Sequence, residues 1–338
     1  VTLKKRGQNY IGLCPFHGEK TPSFTVSPQK QIFHCFGCHE SGDLIAFAQK
    51  IDNLTFYEAI EVIANFANIS IQRDVVSKEM VRRNNQLERT LLCYKYATDV
   101  FNTMFKQSNV AQDYFLKRHV SEDSIIKFQL GFCGSSKQLL DLLKSYDIPE
   151  GDYVSSGLFS KNQNGLYCRF QQRVMFPIVD YQARVVGFGA RIMDADSTAA
   201  KYVNSEESNL FSKRKLLYGL AYAKQAIKKQ KSVLLVEGYM DVIMCSQYGF
   251  NNVVACMGTS LTLDQIKLIK RLTDYVVIMF DNDKAGLLAT QRSIELLLQE
   301  NVRVDVVLMD NVDPADFLVQ FGQDALKKKL NECISAFD

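Results

Sequence analysis

Two pairs of metal-ligand side chains stand near the start of the chain. Two residues separate the ligands of each pair and 17 separate the pairs, which are Cys14 with His17 and Cys35 with Cys38. Zn²⁺ prefers four sulfur or nitrogen ligands in a tetrahedron, and a two-residue spacer lets one tight turn supply two of them. Since all four positions carry ligand types, we expect a closed, structural zinc site. Gly37, inside the second pair, is expected to ease its turn through a positive φ.

A second group of possible ligands consists of carboxylates that follow three short apolar runs late in the chain. They are Glu237, Asp241, Asp281, Asp283, Asp313 and Asp316. Asp281 and Asp283 can point the same way from an extended tip, and carboxylate oxygens are ligands that Mg²⁺ prefers. The cluster would repel itself unless a divalent cation neutralised it, so the sequence predicts a Mg²⁺ or Mn²⁺ site. One Asp after a strand is commonly only a helix N-cap, but acidic groups after three successive strands favour the metal site.

The apolar runs before these carboxylates must position them. Val233–Val236, Tyr275–Phe280 and Val304–Leu308 are typical of short buried strands, and residues 284–299 have a helical pattern. Alternation of this kind predicts a parallel sheet covered by helices. Functional groups gather beyond the carboxyl ends of the strands in such sheets, so we expect the carboxylates at one edge.

The whole chain is predicted to be an α+β multidomain protein. A helix is expected from Asp43, and strands are expected over Arg173–Val179 and Ala183–Phe188. The polar stretch from Ser77 is interpreted as a linker or the exposed start of a helix. The predicted parts are a small zinc-ribbon-like domain (1–76), a linker (77–90), a mixed α/β basic subdomain (91–230), the α/β subdomain with the acidic cluster (231–322) and the start of a C-terminal helical part (323–338).

Charge is divided unevenly along the chain, although the net charge is only +3. Residues 161–231 hold 13 Lys and Arg against 5 Asp and Glu, whereas residues 232–338 hold 9 against 15. This division predicts an anionic partner beside a cation-binding site. Nine cysteines without a signal-peptide pattern indicate a reducing compartment. No apolar run reaches about 18 residues, so no membrane partner is expected.

Taken together, these motifs resemble bacterial DnaG-type DNA primases. Cys14–Cys38 is similar to the zinc-binding domain of that family, and Glu237–Asp241, Asp281–Gly286 and Asp313–Asp316 are similar to its Toprim motifs. Its basic motifs are matched by Arg173–Pro177, Val186–Arg191, Lys201–Ser205 and Phe211–Lys213. Toprim motifs alone are shared with topoisomerases and nucleases, whereas zinc, basic and Toprim motifs in this order are specific.

The resemblance implies a DNA-directed RNA primase that makes short RNA on single-stranded DNA from ribonucleoside triphosphates. It implies one structural Zn²⁺ and a catalytic Mg²⁺ or Mn²⁺, with Glu237, Asp281 and Asp283 as catalytic carboxylates. Contacts with DNA or nucleotide are implied for Arg169, Arg173, Arg191, Lys201 and Lys213. The resemblance further implies a monomeric cytoplasmic protein that meets a replicative helicase through a C-terminal domain absent here. We therefore expect a fragment truncated at both ends.

Two positions depart from the family pattern. Gln171 stands where the family often has a second arginine, which weakens a phosphate-binding role there. Ala315 lies between Pro314 and Asp316, where the common motif is Asp-Pro-Asp, so the sequence leaves open whether Asp313 or Asp316 binds the metal.

Two other classes of protein remain as alternatives. A Toprim nuclease or topoisomerase-like enzyme would use the same acidic motifs, but a topoisomerase needs a tyrosine nucleophile that no segment indicates. A non-catalytic zinc and Toprim DNA-binding module would have lost acidic residues, and all the expected ones are present. Assaying for new RNA, cut DNA or binding alone distinguishes the three classes.

Overall fold

The structure, a computed structural model, describes residues 1–52, 56–67, 69, 78–146, 148–163, 165–194, 198–258, 260–309 and 312–336. It contains two compact units, residues 1–81 and 82–338. Within the described ranges, no helix combines the length and the apolar character that crossing a membrane would require.

The first unit is built on an antiparallel meander in the order β1-β2-β3-β4-β5. Its elements are β1 Leu3–Arg6, β2 Asn9–Gly12, β3 Phe24–Ser27, β4 Ile32–Cys35, β5 Ser41–Gly42, α1 Leu44–Ile51 and α2 Phe56–Phe66. The predicted helix after Asp43 is confirmed, because the Asp43 side chain accepts the Ala46 N–H and caps α1. Buried Phe24 and Phe33 stack with ring centroids 5.4 Å apart and form the centre of a small core beside the Cys/His cluster.

The first part of the second unit carries a four-stranded antiparallel sheet in the order β11-β10-β9-β6. Its elements are α3 Lys78–Lys106 (of which residues 78–81 are counted with the first unit), α4 Asn109–Lys117, α5 Glu122–Lys127, β6 Gly131–Cys133, α6 Ser136–Leu143, a 3₁₀ turn Lys144–Tyr146, α7 Glu150–Ser155, β7 Ser160–Asn162, β8 Gly165–Tyr167, β9 Arg173–Val179, β10 Val185–Ile192, β11 Tyr202–Asn204 and α8 Leu220–Gln230.

The predictions for this part are met with shifted boundaries. The strand over Arg173–Val179 is confirmed, and all seven of its residues are buried. The next strand begins at Val185 rather than Ala183, because Ala183 has a φ of 64° and lies in the turn. From Lys78 the predicted linker is the first part of α3, which agrees with the alternative of a helix start. Ser77 lies outside the described residues.

The last part carries a second sheet in the order β13-β12-β14-β15-β16. Its elements are β12 Val233–Val236, α9 Tyr239–Gln247, β13 Val253–Ala255, α10 Leu263–Lys270, β14 Tyr275–Ile278, α11 Lys284–Gln299, β15 Arg303–Val306, α12 Pro314–Asn331 and β16 Ile334–Ser335. The predicted parallel sheet is confirmed for β12 to β15. All four residues of β12 are buried, as expected for a strand with both faces covered.

The C-terminal end of this part contains a helix and a short strand. Residues 323–331 are helical, and α12 is broken at Gly322, which has a φ of 78°. Ile334–Ser335 then form β16, which pairs antiparallel with β15. This short strand covers backbone groups that β15 would otherwise expose at the edge of the sheet.

Candidate functional site

The four predicted zinc ligands of the first unit lie together. Cys14, His17, Cys35 and Cys38 each offer one ligand atom, and all four atoms lie within 4.8 Å of one another. The Sγ atoms of Cys14 and Cys38 are 3.8 Å apart, and Cys35 Sγ is 3.8 Å from His17 Nδ1. In a tetrahedral site with Zn–S bonds of about 2.3 Å, neighbouring sulfurs lie about 3.8 Å apart. The geometry therefore suits one zinc ion.

Gly37 serves this cluster for a different reason from the one predicted. It is not among the glycines with positive φ in the described chain. Instead, a Cβ at this position would lie 2.6 Å from Nε2 of His17. The second pair thus needs glycine because the imidazole packs directly against the turn.

Glu19 contacts the cluster through hydrogen bonds, and no motif in the sequence had indicated this role. Its Oε1 accepts the Cys14 N–H at 2.7 Å and the Ser23 N–H at 3.1 Å. Its Oε2 lies 3.3 Å from His17 Nε2 and accepts a hydrogen bond from the Ser23 hydroxyl. A carboxylate on the outer nitrogen of a ligating histidine fixes its tautomer and ring orientation. The only sequence signal was an acidic residue two positions after His17.

In the second unit, the predicted carboxylates meet at one edge of the parallel sheet. Glu237 follows β12, Asp281 and Asp283 follow β14, and Asp313 is the N-cap of α12. The Oε1 atom of Glu237 accepts the Asp281 N–H at 3.1 Å, which ties the ends of two neighbouring strands together. Asp316 lies in the first turn of the helix that Asp313 caps, and its N–H donates to Asp313 Oδ1 at 2.7 Å.

The ionised form of these carboxyls is disfavoured by their surroundings. Burial raises the pKa of Glu237, Asp281 and Asp313, and the charge of a neighbouring carboxylate adds to each shift. Asp281 Oδ1 is buried and has no hydrogen-bond partner among the described residues. A set of oxygen ligands with one unpartnered buried atom fits a hard divalent cation such as Mg²⁺ or Mn²⁺.

Asp241 lies deeper than the other members of the cluster. It is 7% exposed, and its Oδ2 accepts the Gly238 N–H at 2.9 Å at the start of α9. Burial, with the charges of Asp313 and Asp281, raises its pKa to about 8, although the Gly238 and Ala315 N–H groups oppose the shift. Its carboxylate therefore joins the starts of α9 and α12.

A cavity of about 390 Å³ brings the carboxylates together with three cations of the basic part. Glu237, Asp241, Asp281, Asp313 and Asp316 line it, as do Arg118, Arg191 and Lys201. Across the described part of the chain, none of the three cations forms an ion pair with a carboxylate. A neighbouring cavity of about 350 Å³ is lined by Asp281, Asp283, Asp313 and Asp316. Opposite charges thus line the same cavity without pairing.

Arg191 is held in the cavity wall by two aromatic rings. Its guanidinium lies 5.5 Å from the ring centroids of both Tyr114 and Tyr202, and it donates a hydrogen bond to the Tyr114 hydroxyl. The side chain is 7% exposed, and its Nε has no hydrogen-bond partner within the described chain. It is therefore preorganised as a cation with an unused donor.

The structure does not place the other three predicted cations among the residues that line this cavity. Arg173 is 6% exposed and donates to the carbonyl oxygens of Ala200 at 2.8 Å and Lys201 at 3.3 Å. Arg169 pairs with Glu206 at 2.7 Å. Lys213 is half-buried, with its backbone N–H bonded to Glu207. Arg173 thus supports the backbone that carries Lys201.

Arg118 and the pair of Asn204 and Tyr239 also line the cavity, and neither was singled out from the sequence. The Tyr239 hydroxyl donates to Asn204 Oδ1 at 2.6 Å, and its ring stacks on Phe176 at 5.1 Å. Arg118 ends α4, far from every motif, so its single positive charge gave no signal. Asn204 and Tyr239 did belong to motifs that carried the family resemblance.

Three family models match the chain in an order that follows these parts. The CHC2 zinc finger matches residues 1–79, the N-terminal domain of the DNA primase catalytic core matches residues 100–224, and the Toprim-like model matches residues 234–318. The fold and the two sites therefore define a protein that combines a CHC2 zinc finger with a Toprim domain.

Individual proteins narrow this class. The DNA primase of Clostridium acetobutylicum is 39% identical over 342 residues, which cover 100% of this chain and 56% of that protein. The zinc-binding and RNA polymerase domains of Aquifex aeolicus primase match with 34% identity and a TM-score of 0.71, over 100% of this chain and 82% of that structure. A DnaG primase catalytic domain bound to single-stranded DNA matches with 32% identity and a TM-score of 0.66, over 75% of this chain and 81% of that structure.

The chain belongs to the DnaG primase family. It spans about half the length of the curated relatives it matches.

Proposed function

We propose that this chain is the zinc-binding and catalytic part of a DNA-directed RNA primase, which joins ribonucleotides on a single-stranded DNA template. The observation that carries the proposal is the cavity whose cations and carboxylates face each other without pairing. A nucleoside triphosphate bound through a divalent metal matches both walls, because its phosphates suit the cations and its metal suits the carboxylates.

The proposed metal ligands are the carboxylates at the sheet edge, namely Glu237, Asp241, Asp281, Asp283, Asp313 and Asp316. A bound Mg²⁺ or Mn²⁺ would neutralise phosphate charge and lower the pKa of the attacking 3′-hydroxyl. Burial raises the pKa of Glu237, which makes its carboxylate a stronger proton acceptor than an exposed one. Asp281 presents an oxygen without a hydrogen-bond partner among the described residues, so we propose it as the principal metal ligand.

We assign the cations that line the cavity, Arg118, Arg191 and Lys201, to the phosphates of the incoming nucleotide. Fixed cations in a partly enclosed cavity bind phosphate more strongly than cations in open water. Arg173 acts by holding the backbone of Lys201. We assign Arg169 and Lys213, which do not line the cavity, to the phosphate backbone of the template.

In the first unit we propose that Cys14, His17, Cys35 and Cys38 bind one structural Zn²⁺. Lys4, Lys5 and Arg6 form a basic strand in the same unit, and Phe36 is 67% exposed. A basic surface with an exposed aromatic ring suits single-stranded nucleic acid, so we infer that this unit contacts the template. Membership of the family supports a monomeric protein of the bacterial cytoplasm that works with a replicative helicase.

The test is to incubate the protein with single-stranded DNA, four ribonucleotides and Mg²⁺ or Mn²⁺. New RNA supports the proposal, cut DNA supports a Toprim nuclease, and binding without either product supports a non-catalytic module. For Asp281→Asn we expect RNA synthesis to fall by about a hundredfold or more. Asp264→Asn is the matched control, since Asp264 is an exposed Asp in the first turn of α10 that does not line the cavity.

If Asp281→Asn retains full synthesis, the carboxylates do not hold the catalytic metal. If both variants lose synthesis equally, the loss comes from removing a negative charge from this part of the chain rather than from the cavity.

A further inference from the structure

The corner between α4 and α5 carries Arg118 to the cavity. α4 ends there with the Val120 N–H bonded to the Phe115 carbonyl at 3.0 Å and the His119 N–H bonded to the Leu116 carbonyl at 2.9 Å. This is the Schellman arrangement, whose left-handed position is usually glycine or asparagine. Here His119 occupies it with a φ of 57°. Since a side chain is strained in that conformation, the corner needs support from outside α4.

Gln247, the last residue of α9, supplies that support through both ends of its side-chain amide. Its Nε2 donates to the His119 carbonyl at 2.8 Å. Its Oε1 accepts the Ser121 N–H at 2.8 Å and the Ser124 hydroxyl at 3.0 Å. One side chain from α9 therefore holds the backbone on both sides of the corner that follows Arg118.

The other end of α9 belongs to the acidic wall. α9 begins at Tyr239, directly after Glu237 and Gly238, and Asp241 closes its first turn. A nine-residue helix is about 14 Å long and moves as one body. α9 therefore links the corner that follows Arg118 to the acidic motif, with Gln247 at one end of the helix and Asp241 in its first turn.

We propose that Gln247 is a positioning residue, which holds Arg118 towards the polyphosphate of the incoming nucleotide. The proposal rests on the function proposed above, because it takes Arg118 as a phosphate contact. Arg118 itself has no side-chain hydrogen bond or ion pair with any described residue, so the corner is what fixes the backbone from which its side chain extends into the cavity.

Lys127 offers a matched control at the same contact between α5 and α9. Its Nζ donates to Ser246 Oγ at 2.6 Å and to Asn251 Oδ1 at 3.1 Å. Lys127→Ala removes these bonds without touching the corner or the cavity. A general weakening of the contact between the helices would affect both variants, whereas misplacement of Arg118 would affect only the Gln247 variant.

The experiment is a double-mutant cycle between Gln247→Leu and Arg118→Ala. Binding of ATP with Mg²⁺, without template, is measured by calorimetry, and the thermal midpoint is measured in parallel. We expect Arg118→Ala to weaken binding about tenfold, as for loss of a charged hydrogen bond. Gln247→Leu should weaken binding about fivefold alone but less than about twofold when Arg118 is already Ala. Gln247→Leu should change the thermal midpoint by the same amount whether residue 118 is Arg or Ala. Lys127→Ala should leave ATP binding unchanged.

Equal weakening of binding by Gln247→Leu in both backgrounds would overturn the proposal, as would an equal effect of Lys127→Ala. Should Gln247→Leu fail to fold, Gln247→Glu keeps the acceptor for Ser121 and loses the donor to His119, and the same cycle applies. The experiment distinguishes failure of the two proposals. If Arg118→Ala leaves ATP binding unchanged, the assignment of Arg118 to the phosphates is wrong. If Arg118→Ala weakens ATP binding but the effects of Arg118→Ala and Gln247→Leu are additive, only the positioning role of Gln247 is rejected.

Discussion

Replacing Glu19 by Gln is the most direct test of how the first unit holds its metal. The substitution keeps the size of the side chain and an oxygen for the N–H groups of Cys14 and Ser23. It replaces the oxygen that faces His17 Nε2 at 3.3 Å by an amide NH₂, which cannot accept a hydrogen bond. If His17 binds through Nδ1, which lies 3.8 Å from Cys35 Sγ, its Nε2 carries a proton and loses its partner.

We expect the zinc affinity of Glu19→Gln to fall about 10- to 100-fold, as for other partners of metal-bound histidines. Competition against a chromophoric zinc chelator measures this loss at fixed pH. Glu40→Gln is the control, because the Glu40 side chain pairs with Lys50 on the exposed surface of the same unit. Equal affinities of Glu19→Gln and the parent, within about twofold, would show that Glu19 only shapes the loop.

Three further outcomes are expected. For Lys201→Ala, binding of single-stranded DNA or nucleotide should weaken, and the slope of log affinity against log salt should fall by about 1; an unchanged slope removes Lys201 from the phosphate contacts. Because the pKa of Asp241 is raised to about 8 in the fold, the free energy of unfolding of the metal-free protein should fall as pH rises from about 4 to 8. Denaturant titrations of Asp241→Asn should show a flatter profile, and an identical one would contradict the burial argument. A Cβ at Gly286 would collide with the Asp281 carbonyl, so urea unfolding of Gly286→Ala should show a loss of about 1–3 kcal/mol, and no loss would mean that the loop can shift.

The sequence was most informative where chemistry depends on residue type and short spacing. The zinc site could be predicted because a two-residue spacer places both ligands of a pair in one turn. The structure brings all four ligands together. The acidic cluster could be read because parallel strands end at one edge of a sheet, which the register of β12, β14 and β15 confirms.

Side chains that act through long-range packing could not be read in this way. Arg118 lines the cavity at the end of α4, beside a corner that is bonded by Gln247, 128 positions after His119. Arg173 is of a residue type that often contacts phosphate, but its guanidinium donates to two backbone carbonyls. No local pattern separates an arginine that binds a ligand from one that supports a loop.

In the acidic motifs, a carboxylate can be a helix N-cap and a metal ligand at the same time. Asp283 caps α11 and Asp313 caps α12, each through Oδ1 to a backbone N–H at 2.7 Å. Glu237 likewise gives Oε1 to the N–H of Asp281. A carboxylate has two oxygens, so one can complete a helix start while the other remains for a cation. The positive end of each helix lowers the cost of holding the charges together, by about 0.3–1 kcal/mol each. The N-caps are therefore the means by which this sheet edge can hold several carboxylates in one place.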